Sequence, residues 1–323
     1  MSSFIIAKRH GRYFASILLA AGLLMSPGFC GLGQAASKGA KQVKQKVFSS
    51  PREAVTAFIG ALKNKDVPEL LAIFGPGSKD LIRSGDKVAD KQTRKLVLNA
   101  FEEKNKIVEV SDRKAVLDVG RDNWPFPIPI VKKNGKWRFD TKAGRQEILD
   151  RRIGRDELAA IGYCTGYVDA QRAYASQIHD KAGVFEYAQK FISTPGRKDG
   201  LYWETGAGEK SSPMSIFMAN ARRLGYGPGS GEKPGVFEGY HYRILKGQGR
   251  HAQDGAFSYV TGGRMTGGFA LVAYPVKYGV SGIMTFIVNN EGAVYERNLG
   301  PKTEASAEAM KLYDPDKSWK RVK

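Results

Sequence analysis

The sequence predicts an α+β protein of two successive domains, each with helices first and an antiparallel sheet after them. Its length of 323 residues is about twice that of an ordinary single domain. Apolar residues recur at helical spacing in two separate stretches, residues 55–62 and residues 158–178. Short segments rich in β-branched and aromatic residues follow each stretch, with turn residues between them. We therefore place a first domain at residues 49–141 and a second at residues 153–323.

The composition is that of a globular protein with a strongly basic balance. Hydrophobic residues make up 42% and charged residues 26% of the chain, which excludes a largely disordered chain. The net charge of +19 favours contact with acidic polymers or anionic lipid head groups. Because the positive charge is scattered, a well-solvated basic surface is the simpler interpretation. No motif that reads bases is present in the sequence, so no specific nucleic acid partner is predicted.

The first 36 residues have the composition of a secretory signal peptide. Residues 8–12 are basic without an acid, residues 14–25 are an apolar run, and small residues follow. The run is too short to span a bilayer, so we expect cleavage near Ala36, with an uncleaved anchor as the alternative. Residues 37–48 are then a linker, and the protein is expected to be periplasmic or secreted. Since no later stretch approaches the apolar length of a membrane helix, the mature chain is not expected to be an integral membrane protein.

The predicted first domain begins with helices and ends with a meander. Ser50 caps a helix that starts at Pro51 and buries a face up to Leu62, and a second helix stops at Gly75. The remaining predicted elements are a helix at about 91–103 and strands at 106–110, 114–119, 126–131 and 136–140. This order, ending in the segment Gly-Lys-Trp-Arg-Phe-Asp at 135–140, resembles the cone-shaped nuclear-transport-factor-2-like fold. The resemblance implies a domain that serves as a binding module or holds a ligand or an active site.

The predicted second domain follows a polar, solvated connection at residues 141–155. A long helix is expected at 155–178 and a second helical piece at 184–192. Cys164, the only thiol left after signal cleavage, lies on the apolar face of the long helix, so we expect a buried small hydrophobe rather than a nucleophile. The other predicted elements are a short helix at 214–224 and strands at 239–246, 257–260, 269–276, 283–289 and 293–297.

A long helix followed by such a meander is similar to the pilin-like subunits of type II secretion systems and type IV pili. The similarity is greatest at residues 278–295, which match the C-terminal strand pair of those subunits. The apolar N-terminal spine of a pilin is absent before Ile153, so only the globular head would be shared. A role in building a pilus is therefore not expected.

One stretch brings histidines, an acid and a base close together in the sequence. Its candidate binding residues are His241, Gln248, His251, Asp254 and Arg264. The two histidines are ten residues apart, which fits no standard metal spacing, so no metal, no cofactor and no catalytic residue are predicted. Because strands alternate, the ring of His241 is expected on the face opposite its two tyrosine neighbours, as a structural sheet histidine.

Three longer strings carry a resemblance to a bacterial family catalogued as domain of unknown function 2950. They are Glu-Gly-Tyr-His-Tyr-Arg-Ile-Leu at 238–245, a glycine-rich string at 262–275 and Tyr-Gly-Val-Ser-Gly-Ile-Met-Thr-Phe-Ile-Val-Asn at 278–289. The resemblance covers the chain from about Ser49 to Val322. It implies an exported protein and assigns no activity.

Two classes of function follow from these observations. The first is a non-enzymatic envelope protein that binds an unknown protein or an anionic envelope polymer. The second is a secreted hydrolase with a polar site at the glycine-rich end of the C-terminal sheet. The spacing of the candidate residues favours the first class.

Overall fold

The computed structural model describes residues 44–82, 87–177, 184–206, 208–223 and 236–322. The predicted signal peptide, most of the predicted linker, and His179 lie outside the described residues. The predicted α+β class is confirmed, because helices combine with several antiparallel sheets. The chain forms two compact units, which divide between Asp150 and Arg151.

The first unit places helices before an antiparallel sheet. Its elements are α1 (Pro51–Lys63), α2 (Val67–Phe74), α3 (Lys79–Ile82), α4 (Lys87–Glu103), β1 (Asn105–Ser111), β2 (Lys114–Val119), β3 (Trp124–Pro125), β4 (Ile130–Lys133) and β5 (Lys136–Phe139). The Ser50 hydroxyl accepts a hydrogen bond from the Glu53 backbone N–H at 3.1 Å, so Ser50 is the N-cap of α1 as predicted. The sheet order is β1-β2-β4-β5, with β3 paired to β2.

The predicted strand at 126–131 is wrong in its bounds. Proline occupies positions 125, 127 and 129, and a residue without an N–H cannot donate to a sheet ladder. The chain therefore leaves the sheet after β3 and rejoins it at β4. Phe126, in the interrupted segment, is 4% exposed and packs on Phe58 with ring centroids 5.0 Å apart, inside the core of this unit.

The long helix α5 (Thr141–Gln177) begins well before the predicted start. The two units divide within the predicted connection at 141–155, but this segment is helical rather than an irregular linker. The side chain of Arg145 forms an ion pair with Asp80, and Ile148 and Ile153 are buried. The Asp140 carboxylate accepts a hydrogen bond from the Ala143 N–H at 3.1 Å, which compensates an unpaired donor of the first turn. These tertiary contacts stabilise helical turns that carry few apolar residues.

The helical piece predicted at 184–192 is also wrong. Residues in this segment form isolated bridges, Tyr187 to Met265 and Ile192 to Tyr202. The buried side chain of Gln171 explains the irregular path, since its amide bonds both the N–H and the C=O of Ala188 at 2.8 Å. A peptide held by a side chain in this way is not available for a helical ladder.

The second unit combines the later part of α5 with a six-stranded antiparallel sheet. Its further elements are α6 (Ser215–Arg223), β6 (Val236–Phe237), β7 (Tyr240–Leu245), β8 (Gly247–Gln248), β9 (Phe257–Ser258), β10 (Val260–Thr261), β11 (Arg264–Met265), β12 (Ala270–Pro275), β13 (Met284–Asn289), β14 (Tyr295–Asn298), α7 (Thr303–Ala309) and β15 (Lys320–Arg321). The sheet order is β15-β14-β13-β12-β7-β6. The strand predicted at 257–260 is divided, because β9 pairs with β8 whereas β10 pairs with β11.

The two faces of this sheet carry different partners. On one face, Tyr163 of α5 packs against Tyr242 with ring centroids 4.1 Å apart. Cys164 is fully buried, as predicted, and burial raises the pKa of its thiol to about 12, so it is not a thiolate at neutral pH. On the opposite face, the guanidinium of Arg243 donates to the carbonyl oxygens of Ala307 and Met310, each at 2.6 Å, which holds α7 against the sheet.

Candidate binding site

The five candidate residues occupy several different settings. His241 lies on β7, on the same face as Arg243, and its ring stacks on Tyr274 of β12 at 5.1 Å between centroids. Arg264 lies on β11 and donates to the Glu186 carboxylate at 3.0 Å. Both side chains therefore have aromatic or ionic partners within the fold.

Gln248 ends β8, and His251 and Asp254 lie in the loop between β8 and β9. The amide of Gln248 is 3% exposed and donates to the carbonyl oxygens of Gln253 and Gly255, while it accepts from the Tyr259 hydroxyl at 2.9 Å. Its role is to close the loop from inside. Asp254 is exposed, and its φ of 66° places it in the left-handed turn of that loop.

His251 has a carboxylate partner that the sequence analysis did not identify. Its Nδ1 lies 3.0 Å from both carboxylate oxygens of Asp314, and its backbone N–H donates to the same carboxylate at 2.8 Å. Arg250 donates from Nε to the Nε2 of His251 at 3.3 Å. The carboxylate therefore orients the ring, and both ring nitrogens have hydrogen-bond partners in this structure.

Gly249 makes this close approach possible. A Cβ at position 249 would lie 2.3 Å from the Cγ of Asp314, closer than two carbon atoms can approach. The glycine therefore admits the carboxylate that positions His251. The dyad of His251 and Asp314 joins residues that are far apart in the sequence. Local sequence patterns therefore do not reveal it.

A second polar region, missed by the sequence analysis, is a pocket of about 480 Å³ in the second unit. It is lined by residues 192–198, by residues 202–204 and by Met218 of α6. Arg197 and Lys198 are exposed on its wall, whereas Trp203 is 8% exposed. The volume lies within the range of ordinary small-ligand sites.

Asp199 organises the turn that shapes the pocket. Its carboxylate accepts hydrogen bonds from Lys190 Nζ at 2.7 Å, from the Thr194 N–H at 2.7 Å and from the Thr194 hydroxyl at 2.9 Å. The bond from Lys190, followed by that from the Thr194 N–H, holds the pKa of Asp199 well below its usual range. The ionised carboxylate of Asp199 therefore fixes the turn. It is bound by Lys190 and Thr194 rather than by Arg197 or Lys198.

The aromatic wall of the pocket is anchored to α5. Tyr174 packs on Trp203 in a T-shaped arrangement at 6.5 Å, and the Tyr174 hydroxyl donates to the carbonyl of Lys198 at 3.0 Å. The Nζ of Lys198 lies 5.6 Å above the Trp203 ring. The Nε1 of Trp203 is buried without a hydrogen-bond partner among the described residues, which is typical of a site completed by a ligand or an ordered water.

The sequence did contain a signal for this pocket. The string Arg-Lys-Asp-Gly-Leu-Tyr-Trp at 197–203 has two basic residues followed by two aromatic residues, types suited to anionic and ring-shaped ligands. The proline and glycine before it indicate only a loop. Within the described residues, no group of three or more His, Cys, Asp or Glu side chains is placed to hold a metal ion.

The fold and the pocket define a two-unit protein of mixed α+β class. The chain belongs to the family described as "Protein of unknown function (DUF2950)", whose match covers residues 45–322 and confirms the resemblance drawn from the sequence. Comparison with curated proteins and with solved structures gave no match. Across the parts of the chain that the structure describes, no helix is both long enough and apolar enough to cross a membrane.

Proposed function

We propose that this chain is an exported, non-enzymatic binding protein of the bacterial envelope, and that the pocket at 192–204 binds an anionic polymer. The single observation that carries the proposal is the pocket itself, in which exposed basic side chains stand beside an anchored aromatic wall. The signal-like segment at residues 1–36 supports export. The nuclear-transport-factor-2-like and pilin-head-like resemblances belong to the same proposal, since both are compatible with a binding module.

The basic side chains of the pocket favour a negatively charged ligand. Arg197 and Lys198 are exposed, and the nearby carboxylate of Asp199 is already engaged by Lys190 and Thr194. Glu204 also lines the pocket, so the lining has two cations and one carboxylate, and a carboxylate or phosphate group that enters would meet a net positive charge. The net charge of +19 adds long-range attraction for a polyanion, which raises the association rate at low salt.

The shape of the pocket favours a polymer with rings over a simple ion. A volume of about 480 Å³ holds more than an isolated phosphate, and Tyr202 and Trp203 line the wall. Aromatic faces pack on the apolar faces of sugar rings, and the half-buried ring of Tyr202 is the more accessible of the two. An acidic polysaccharide combines these two requirements.

Binding of polygalacturonate, with neutral dextran as comparison, tests the proposal on the full chain. We expect saturable polygalacturonate binding that weakens with salt, and no binding of dextran. Changing Arg197 and Lys198 together to Gln should weaken binding by about tenfold or more, as expected when two charge-assisted contacts are lost. The matched control changes exposed Lys311 and Lys317 to Gln, which removes the same net charge away from the pocket. Equal losses of polygalacturonate binding in both double variants would show that only the overall charge matters. That result would refute the pocket as the binding site.

A second candidate function, a secreted hydrolase, is favoured by the dyad of His251 and Asp314. A carboxylate 3.0 Å from Nδ1 is the arrangement that orients a histidine base. Hydrolysis of a p-nitrophenyl ester by the wild type and by His251→Gln tests this candidate. Turnover that the substitution abolishes would support the hydrolase, whereas equal slow hydrolysis by both proteins would reject it.

A further inference from the structure

The first unit contains an apolar cavity that the proposed function does not use. Its volume is about 60 Å³, and ten of the twelve described residues around it are apolar. Phe58 of α1, Phe74 of α2 and Val97 of α4 form part of the wall. Because a single water requires roughly 10–15 Å³, the cavity has room for a chain of only a few carbon atoms.

The two polar residues around the cavity are neighbours on α4. Thr93 and Arg94 line it, and both are half-buried. Elsewhere in this unit Arg145 is paired with Asp80 and Arg121 with Glu103. Within the described residues, by contrast, no carboxylate is recorded as a partner of Arg94.

An arginine on the wall of an apolar cavity defines a specific chemistry. A guanidinium gains from an anion that binds it in two places, as a carboxylate does. The cavity gains from an apolar group that excludes water from it. A molecule that satisfies both has a short hydrocarbon chain and a carboxylate at one end.

We infer that this cavity binds the end of the alkyl chain of a short monocarboxylate, with Arg94 bound to the carboxylate and Thr93 beside it. The site lies wholly within the first unit, and its ligand differs in class from the polymer proposed for the second unit. The inference about this cavity does not depend on binding of a polymer by the second unit.

Calorimetric titration of the full chain with hexanoate tests the inference. We expect one saturable site for hexanoate, and binding at least about tenfold weaker for hexanol, which lacks the charge, and for acetate, which lacks the chain. Arg94→Gln should weaken hexanoate binding by about tenfold or more and leave hexanol unchanged. Arg52→Gln, which removes an exposed arginine of the same unit, is the matched control and should bind hexanoate like the wild type.

A second variant tests the cavity rather than the charge. Val97→Met extends a side chain into the cavity, and the flexible thioether is tolerated in cores better than a ring. The variant should retain its circular dichroism spectrum and lose hexanoate binding. Absence of saturable hexanoate binding by the wild type, equal binding by Arg94→Gln, or acetate binding as tight as hexanoate binding would each overturn the inference.

Discussion

Asp156 is a carboxylate that the fold buries in the second unit. It is 4% exposed, and burial raises its pKa despite two hydrogen bonds from Arg155 at 2.7 and 2.9 Å. Glu238 lies in the same charge environment, and its pKa is also raised, chiefly by burial. The backbone makes room for the pair at Gly239, where φ is 77° and a Cβ would lie 2.9 Å from the Asp156 carboxylate.

The raised pKa of Asp156 gives a predicted pH dependence. The folded state holds the proton to higher pH than the unfolded state does, whose pKa is near 3.8. The contribution of this proton to the free energy of unfolding is therefore complete below pH 3.8 and is lost as the pH rises through the pKa of Asp156 in the folded state. We expect the free energy of unfolding of Asp156→Asn, relative to the wild type, to increase between about pH 4 and pH 7. Urea denaturation at both pH values measures it, and a constant difference would contradict the prediction.

The histidines give a second prediction at the residue scale. His241 stacks on Tyr274 and His251 is held by Asp314 at a surface that leaves 39% of its side chain exposed. Changing both to Gln should lower the free energy of unfolding by only about 1–2 kcal/mol, the scale of lost hydrogen bonds and packing. Polygalacturonate binding at the pocket should be retained, and metal analysis of the wild type should find no stoichiometric zinc. One equivalent of zinc, lost in the double variant, would establish a metal site instead.

At the scale of elements, α5 carries glycines in two different settings. A Cβ at Gly154 would meet nothing within 4 Å, whereas a Cβ at Gly166 would lie 2.0 Å from the ring of Phe217 on α6. Gly154→Ala should raise the free energy of unfolding by about 0.5–1 kcal/mol, because alanine favours the helix. Gly166→Ala should lower it by about 1–3 kcal/mol through overpacking. Thermal and urea denaturation of both variants provide the comparison, and stabilisation by both would disprove the close contact.

The early part of α5 also leads to a prediction about proteolysis. Residues 141–155 contain several trypsin sites but are helical and tied to the first unit by Arg145 and Thr141. Limited trypsin digestion followed by mass spectrometry should therefore cut these sites no faster than Arg172 in the same helix. A first cleavage between 141 and 155 would contradict this prediction and would support the solvated connection that the sequence indicates.

Most elements could be predicted from the sequence because their signals are local. The Ser50 cap, the strand at 114–119 and the pair of β13 with β14 depend on propensity and turn residues within a few positions. The start of α5 could not be predicted, because its stabilising contact, Arg145 with Asp80, joins residues 65 positions apart. The basic and aromatic residue types of the pocket are visible in the sequence at 197–203, but their assembly into one wall is not, since it depends on the contact of Tyr174 with Trp203.

At the scale of the whole molecule, residues 313–322 complete the second unit. Tyr313 is 2% and Trp319 is 8% exposed, β15 pairs with β14, and the Val322 N–H donates to Val294 at 2.9 Å. Trp319→Ala should lower the free energy of unfolding by about 3–5 kcal/mol, since it empties a large buried volume. Lys317→Ala, at an exposed position two residues away, should change it by less than about 0.5 kcal/mol. Similar effects of the two substitutions in urea denaturation would contradict this role of the segment.

The same segment sets the timing of folding during translation. The Asp314 carboxylate binds His251, and Tyr313 pairs with the backbone at Gln248. The loop after β8 therefore cannot reach its final structure until residues more than sixty positions later have been synthesised. A nascent chain that has left the ribosome only as far as β14 lacks the edge strand and both buried aromatics. We therefore expect the second unit to remain incompletely packed, and open to chaperones, until residue 322 has emerged.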